Sequence, residues 1–267
     1  YSFKTISGDL QIKDDKENTN FAAYRGFEES SLNLKAYFKN DEIDIAQVAL
    51  SVESPSNGVS VDSAGKVTIN PRDLTNEEDV TVRIKAYQSS TEETSYFTVT
   101  IKPWYEIYSA TRVSDLEMLR NNLNGKFRLM DSIEIGGNMD PIGSYANASN
   151  NKPFTGIFDG NDKTLSNFKI QAANNYAGLF AYNTGTIKNL IVDKAKFEGP
   201  TVSYVGIICG YNQGVISGCE VKGINIKAND NVGGLIGHMR DGTIEDCSSA
   251  GSVKGNDNVG GLIGRVE

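Results

Sequence analysis

Val232-Gly-Gly-Leu-Ile-Gly237 recurs as Val259-Gly-Gly-Leu-Ile-Gly264, and two diverged copies precede it, Tyr176-Ala-Gly-Leu-Phe-Ala181 and Tyr204-Val-Gly-Ile-Ile-Cys209. Counted through Gly178, Gly206, Gly234 and Gly261, the spacings are 28, 28 and 27 residues. A second element keeps the same period: Gly185-Thr-Ile-Lys-Asn-Leu190, Gly214-Val-Ile-Ser-Gly-Cys219 and Gly242-Thr-Ile-Glu-Asp-Cys247. Two separate motifs on one period mark a repeat architecture. A unit of this length with two or three short apolar strands cannot bury its own faces. Stacked as coils about 4.8 Å apart, it can. Leu179, Ile207, Leu235 and Leu262 should then form one interior ladder, and Ile187, Ile216 and Ile244 another, with glycines turning the corners. Helical repeats fit poorly, because so much Gly, Asn and Thr destabilises helices.

Outward from the repeat, the texture changes. Only four of the 27 glycines (Gly8, Gly26, Gly58 and Gly65) precede Trp104. Pro103, which cannot donate to a sheet ladder, marks a boundary at Pro103-Trp104-Tyr105. Residues 1–104 read as short alternating strands: Leu32, Leu34 and Ala36; Val67 and Ile69; Val80, Val82, Ile84 and Ala86; Phe97, Val99 and Ile101. Asp62-Ser-Ala-Gly65 is turn chemistry between two of them. About seven strands in about a hundred residues is the size of an immunoglobulin-like β-sandwich. After the boundary, Ser114-Asp-Leu-Glu117 is a capping box. It predicts a helix over about 114–122 that covers the open first coil of the array.

The repeat pattern, Gly-Leu-Ile-Gly followed by Gly-Thr-Ile-Glu-Asp-Cys and Gly-Ser-Val, resembles the GLUG motif. Pro153-Phe-Thr-Gly-Ile-Phe-Asp-Gly-Asn-Asp-Lys-Thr-Leu-Ser-Asn-Phe168 looks like the first coil of such arrays, and Asp140-Pro-Ile-Gly143 fits too. The segment around Val59–Ile69 resembles bacterial immunoglobulin-like or cadherin-like surface modules. The resemblance implies an all-β chain: an immunoglobulin-like sandwich over 1–104, then a right-handed parallel β-helix over 105–267 with repeats from about 154. GLUG arrays occur in surface adhesins, in proteins of gut commensals and in the non-catalytic part of bacterial immunoglobulin A peptidases.

Composition excludes several functions. A net charge of −8 with no basic cluster is unsuited to nucleic acid or anionic membranes. No apolar run is long enough to insert in a membrane. The first residue, Tyr1, suggests a processed chain whose signal peptide or lipid anchor has been removed. Three cysteines, none in a CxxC spacing, support neither a disulfide framework nor a zinc site. The single histidine, in Gly237-His-Met-Arg240, lacks the HExxH helix of zinc peptidases and reads as a loop residue at a coil corner.

Several candidate sites remain. Asp159, Asp162, Asp193 and Asp246 are the carboxylates a polysaccharide-active β-helix would use, yet Asp159 and Asp162 read as turn residues. Cys219 and Cys247 share a repeat position with Leu190 and should be interior neighbours, as packed thiols or as a disulfide. Asn229-Asp-Asn231 and Asn256-Asp-Asn258 stack one period apart. Asp230 and Asp257 are therefore weak calcium candidates against the plainer reading of self-bonded corners; no metal or other cofactor is expected. Tyr182 and Tyr211, each preceding an asparagine, should meet on one edge, either as a sugar-stacking face or simply packed on each other.

These readings point to a non-enzymatic cell-surface or secreted module of a bacterium, engaged in adhesion or in binding a glycan or host protein. The alternatives are a polysaccharide-active enzyme, an accessory region of an immunoglobulin A peptidase-like protein, and a purely structural stalk. The final coil lacks its second element after Val259–Gly264, so self-association through its Leu262 edge is also expected.

Overall fold

The computed structural model describes residues 20–24, 30–33, 48–53, 59–64, 66–69, 80–88, 92–108, 118–147, 150–172 and 174–267. The chain divides into two compact units, one ending at Trp104 and one beginning at Tyr105.

The first unit contains seven strands among the described residues: β1 (Asn20–Tyr24), β2 (Ser30–Asn33), β3 (Val48–Val52), β4 (Val59–Val61), β5 (Lys66–Ile69), β6 (Val80–Gln88) and β7 (Glu93–Lys102). They form a four-stranded sheet, β1-β7-β6-β3, and a three-stranded sheet, β2-β5-β4. Pairing is antiparallel except that β1 runs parallel to β7. Along β6 the side chains alternate: Val82, Ile84 and Ala86 are buried while Thr81 and Arg83 are exposed. This period of two is that of a strand with one covered face. Asp62 Oδ1 accepts hydrogen bonds from the amides of Ala64 and Lys66, both at 2.9 Å, and so closes the turn between β4 and β5. Leu34, Ala36 and Gly65 lie outside the described residues.

The second unit is a parallel β-solenoid of about five turns. Strand β8 (Tyr105–Ile107) leads into the first coil, made of β9 (Lys126–Leu129), β10 (Ile133–Glu134) and β11 (Asn138–Met139). An antiparallel hairpin, β12 (Ser144–Tyr145) and β13 (Asn151–Lys152), then leaves the coil. The second coil holds β14 (Ile157–Ser166), β15 (Lys169–Ile170) and β16 (Phe180–Asn183); the third holds β17 (Thr186–Asp193), β18 (Lys196–Glu198) and β19 (Cys209–Asn212). The fourth holds β20 (Val215–Ser217), β21 (Glu220–Lys227), β22 (Val232–Gly233) and β23 (Ile236–Met239). The fifth holds β24 (Thr243–Glu245), β25 (Ser248–Lys254), β26 (Val259–Gly260) and β27 (Ile263–Val266).

Each strand pairs in parallel with its equivalent one coil away. Tyr105, Phe127, Phe158, Ile187, Ile216 and Ile244 stand in one file. Phe180, Cys209, Ile236 and Ile263 stand in another. Stacking identical positions turns a short apolar run, useless in one repeat, into a continuous core.

Three details differ from the sequence reading. First, Ala177, Val205, Val232 and Val259 pair, so the glycines equivalent to Gly178 and Gly206 are Gly233 and Gly260, not Gly234 and Gly261. The shift arises because the second coil has two residues between Ala177 and Phe180 where the third, fourth and fifth coils have three; in the third coil these include the buried Ile207 and Ile208. Second, β8 already pairs with β9, so the helical residues 118–121 fall between two rungs rather than ahead of the coils. Leu119 is buried there, and Ser114–Glu117 lie outside the described residues. Third, the glycines that open the second element are required by contact, not by backbone angle. A Cβ on Gly185 would lie 2.2 Å from the Gly156 carbonyl oxygen, and one on Gly214 would lie 2.1 Å from that of Gly185. Adjacent coils approach too closely there for any side chain.

Candidate functional site

Tyr182 and Tyr211 are register partners on β16 and β19, and their rings stack with centroids 5.0 Å apart. The asparagines that follow them explain the local geometry. Asn183 Oδ1 accepts from the Gly185 amide at 3.1 Å, while its Nδ2 donates to Asn212 Oδ1 at 2.7 Å. Asn212 Nδ2 in turn donates to the Gly214 carbonyl at 3.1 Å. Both asparagines are fully buried, and this ladder satisfies polar groups that would otherwise be costly.

The tyrosine pair is part of a larger cluster. Tyr145, carried by the hairpin strand β12, packs on Tyr176 at 4.5 Å, on Tyr211 at 4.9 Å and on Tyr182 at 5.3 Å. Tyr176 stacks on Tyr204 at 4.5 Å with the rings 8° from parallel. His238 continues the Tyr182-Tyr211 file at 5.0 Å from Tyr211 and also meets Tyr204 at 5.4 Å. Only 9% of Tyr182 and 4% of Tyr211 are exposed, so these two support the cluster from beneath rather than offering ring faces to solvent. Tyr145, Tyr176 and Tyr204 are half-buried and form its accessible part. Sequence reasoning missed these three, although Tyr176 and Tyr204 open two copies of the repeat at one position.

The environment keeps these groups neutral. Burial, followed by the neighbouring Tyr204, Tyr145 and Tyr211 phenols, pushes the Tyr176 hydroxyl up to about 12. Burial likewise raises that of Tyr182, whose hydroxyl donates to Gln213 Oε1. His238 lies inside β23, 7% exposed and not at a loop, because the aromatic file covers its ring. Burial lowers its pKa, offset in part by Glu267, whose carboxylate is 3.4 Å from Nε2.

Beside Tyr145 and Tyr176 opens a cleft of about 610 Å³, also lined by Ser144, Gln171, Asn174 and Asn175. Its remaining lining is proline, glycine and alanine, so among the described residues no charged side chain lines it.

The carboxylates do not gather. Asp159 is not a turn residue: it lies inside β14, 5% exposed, where the strand bulges between Asp159 and Lys163. Arg128 at 3.4 Å and Lys188 at 3.6 Å, from the coils on either side, hold its carboxylate, and the Asn161 amide donates to it at 3.0 Å. Asp162 sits in the bulge with φ 56°, Asp193 lies 3.9 Å from Lys194, and the exposed Asp246 occupies a left-handed turn two coils further on.

In the fourth and fifth coils, Asn256 Nδ2 donates to Asn229 Oδ1 at 2.6 Å, Asn258 Nδ2 to Asn231 Oδ1 at 2.9 Å, and the Asp257 amide to Asp230 Oδ1 at 3.3 Å. These side chains spend their oxygens on one another. Among the described residues, no three His, Cys, Asp or Glu side chains assemble as a metal site. Cys219 and Cys247 are neighbours one coil apart and both are free; Cys219 is buried but Cys247 only partly. A hydrogen bond from Cys219 brings the Cys247 thiol down to about 7 and raises that of Cys219.

Comparison with known proteins bears on the same region. Residues 228–254 match the GLUG motif. Over 210 residues the chain is 30% identical to halomucin of Haloquadratum walsbyi, an alignment that covers 73% of this chain. The chain spans about 2% of that relative's length. No solved structure matches it significantly. The second unit is thus a repeat solenoid that carries the GLUG motif across its fourth and fifth coils.

Proposed function

We propose that this chain is a non-enzymatic module of the outer cell surface, in which an immunoglobulin-like β-sandwich precedes a right-handed β-helix that binds a glycan or host protein. The observation that carries this reading is the uncharged cleft beside the tyrosine cluster, a concave recess on a rigid scaffold. The similarity to halomucin and the GLUG motif favour a surface setting. The carboxylate of Asp159 is engaged by Arg128, Lys188 and the Asn161 amide inside β14 rather than opposed to a second carboxylate across a cleft, which favours binding over hydrolysis.

Two measurements test it. Antibody labelling of intact cells should detect the chain at the surface, and the immobilised chain should retain ligand from an array of glycans and host proteins without releasing product. Steady release of reducing ends from a polysaccharide, abolished by Asp159→Asn, would replace the binding module with an enzyme.

A further inference from the structure

The residue before the paired Ala177, Val205, Val232 and Val259 has a left-handed backbone in each of the second to fifth coils: Tyr176 (φ 67°), Tyr204 (φ 62°), Asn231 (φ 56°) and Asn258 (φ 53°). Asparagine adopts this conformation readily, whereas for a bulky side chain it is a strained outlier. The backbone of this corner therefore accepts asparagine, and tyrosine is the more costly choice in the second and third coils. Strain of this kind collects at functional sites.

What the tyrosines provide is a half-exposed, nearly parallel ring stack, extended by Tyr145 from the hairpin along the wall of the cleft. We propose that this cleft binds a neutral carbohydrate, with a sugar ring laid against Tyr145 and Tyr176 and its hydroxyls held by Ser144, Gln171, Asn174 and Asn175. The inference rests on the ligand-binding reading above and names the ligand class of that site. A sugar presents an apolar C–H face and a rim of hydroxyls. The first suits an aromatic wall, and the second suits amides, which donate and accept at once. Among the described residues no lysine or arginine lines the cleft, so the carboxylate of an acidic sugar would lose water there with no cation in the lining to pair with. With its hydroxyl held near 12, Tyr176 stays protonated at neutral pH and can both donate and accept.

The test titrates the full chain with neutral hexasaccharides (maltohexaose, cellohexaose and mannohexaose) and with hexagalacturonate, using calorimetry and saturation-transfer NMR. At least one neutral probe should bind, and hexagalacturonate should bind at least roughly tenfold more weakly. Tyr176→Asn, alone or with Tyr204→Asn, should weaken neutral-sugar binding by roughly tenfold or more while leaving Tm unchanged or higher. Tyr145→Ser gives a second handle from the hairpin and should weaken binding in the same way. Sugar binding that survives Tyr176→Asn and Tyr145→Ser overturns this site. A chain that binds no neutral probe, but captures a host protein on the array, also overturns it and leaves the broader binding reading standing. Failure to bind anything removes both.

Discussion

At one corner of the solenoid, four successive coils share a left-handed backbone but divide in chemistry, with tyrosine in the second and third coils and asparagine in the fourth and fifth. The asparagines close on themselves: Asn258 donates to Asn231 at 2.9 Å. The tyrosines instead stack with half-open rings and meet a hairpin that the later coils lack. A repeat backbone thus fixes where a side chain stands without fixing what it does. Coils whose side chains satisfy one another serve as scaffold, and coils whose groups are left facing a cleft are available for binding.

If coil spacing is the shared constraint, the largest loss should follow from intruding on it. Gly214→Ala would place a Cβ 2.1 Å from the Gly185 carbonyl oxygen, whereas Gly137→Ala meets nothing within 4 Å. The first should cost about 3 kcal/mol and lower Tm by roughly 5–10 °C. The second should leave Tm within about 2 °C. Equal melting curves for the two variants would break the claim that coil approach, not turn conformation, demands glycine at position 214.

The two asparagine ladders sharpen the contrast next. Asn183→Ala removes a buried side chain and leaves Asn212 Oδ1 without its donor, while the Gly185 amide keeps the Phe154 carbonyl, so it should cost about 2 kcal/mol. Asn256→Ala, on the exposed ladder, should change stability by less than about 0.5 kcal/mol. Denaturant titration of both variants checks the ranking, and a reversal would mean that burial does not set the worth of a ladder.

A smaller effect should separate the aromatic file from the rest of the array. The His238 pKa is lowered in the folded chain, chiefly by burial, with Arg265 and Arg240 also lowering it and Glu267 opposing. The unfolded chain therefore binds the proton more readily. The contribution is fully present above the unfolded value near 6.5 and is lost as pH falls through the folded value. Tm should fall more between pH 7 and pH 5 in the parent than in His238→Phe; identical pH profiles would remove histidine from the account.

The least perturbing probe is thiol chemistry. Cys247, partly exposed and brought down to about 7, should react with iodoacetamide at neutral pH well ahead of the buried Cys209 and Cys219. Mass spectrometry of digests over a pH series should show its labelling rate half-maximal near pH 7. Preferential labelling of Cys219 would reverse the assignment of donor and acceptor in that pair.

Much of the solenoid was legible because its repeats are short and nearly identical. The Ile187-Ile216-Ile244 ladder and the meeting of Tyr182 with Tyr211 follow from counting alone. The candidate site was legible only in part. The sequence reading left Tyr182 and Tyr211 as either a sugar-stacking face or a pair packed on each other; they pack on each other beneath the cluster, and the accessible rings belong to Tyr145, Tyr176 and Tyr204. Tyr145 falls outside the repeat, so no period could place it. His238, in Gly237-His-Met-Arg240, read as a loop residue at a coil corner, yet its strand position is set by pairing with Tyr211 one coil away. Asp159 read as a turn because glycine follows it; a bulge keeps it in the strand between Arg128 and Lys188.

By itself, the sequence determined the period, the parallel stacking and the identity of most ladder neighbours, because residues one repeat apart must fall on one another when coils stack. Only the tertiary structure decided which tyrosines are covered, that the second coil is one residue shorter between Ala177 and Phe180 than the coils after it, and that a hairpin folds over the aromatic file. The physical reason is that periodicity specifies position along the array and around the coil. Burial, cleft shape and charge pairing depend instead on insertions and on contacts between coils, which carry no period.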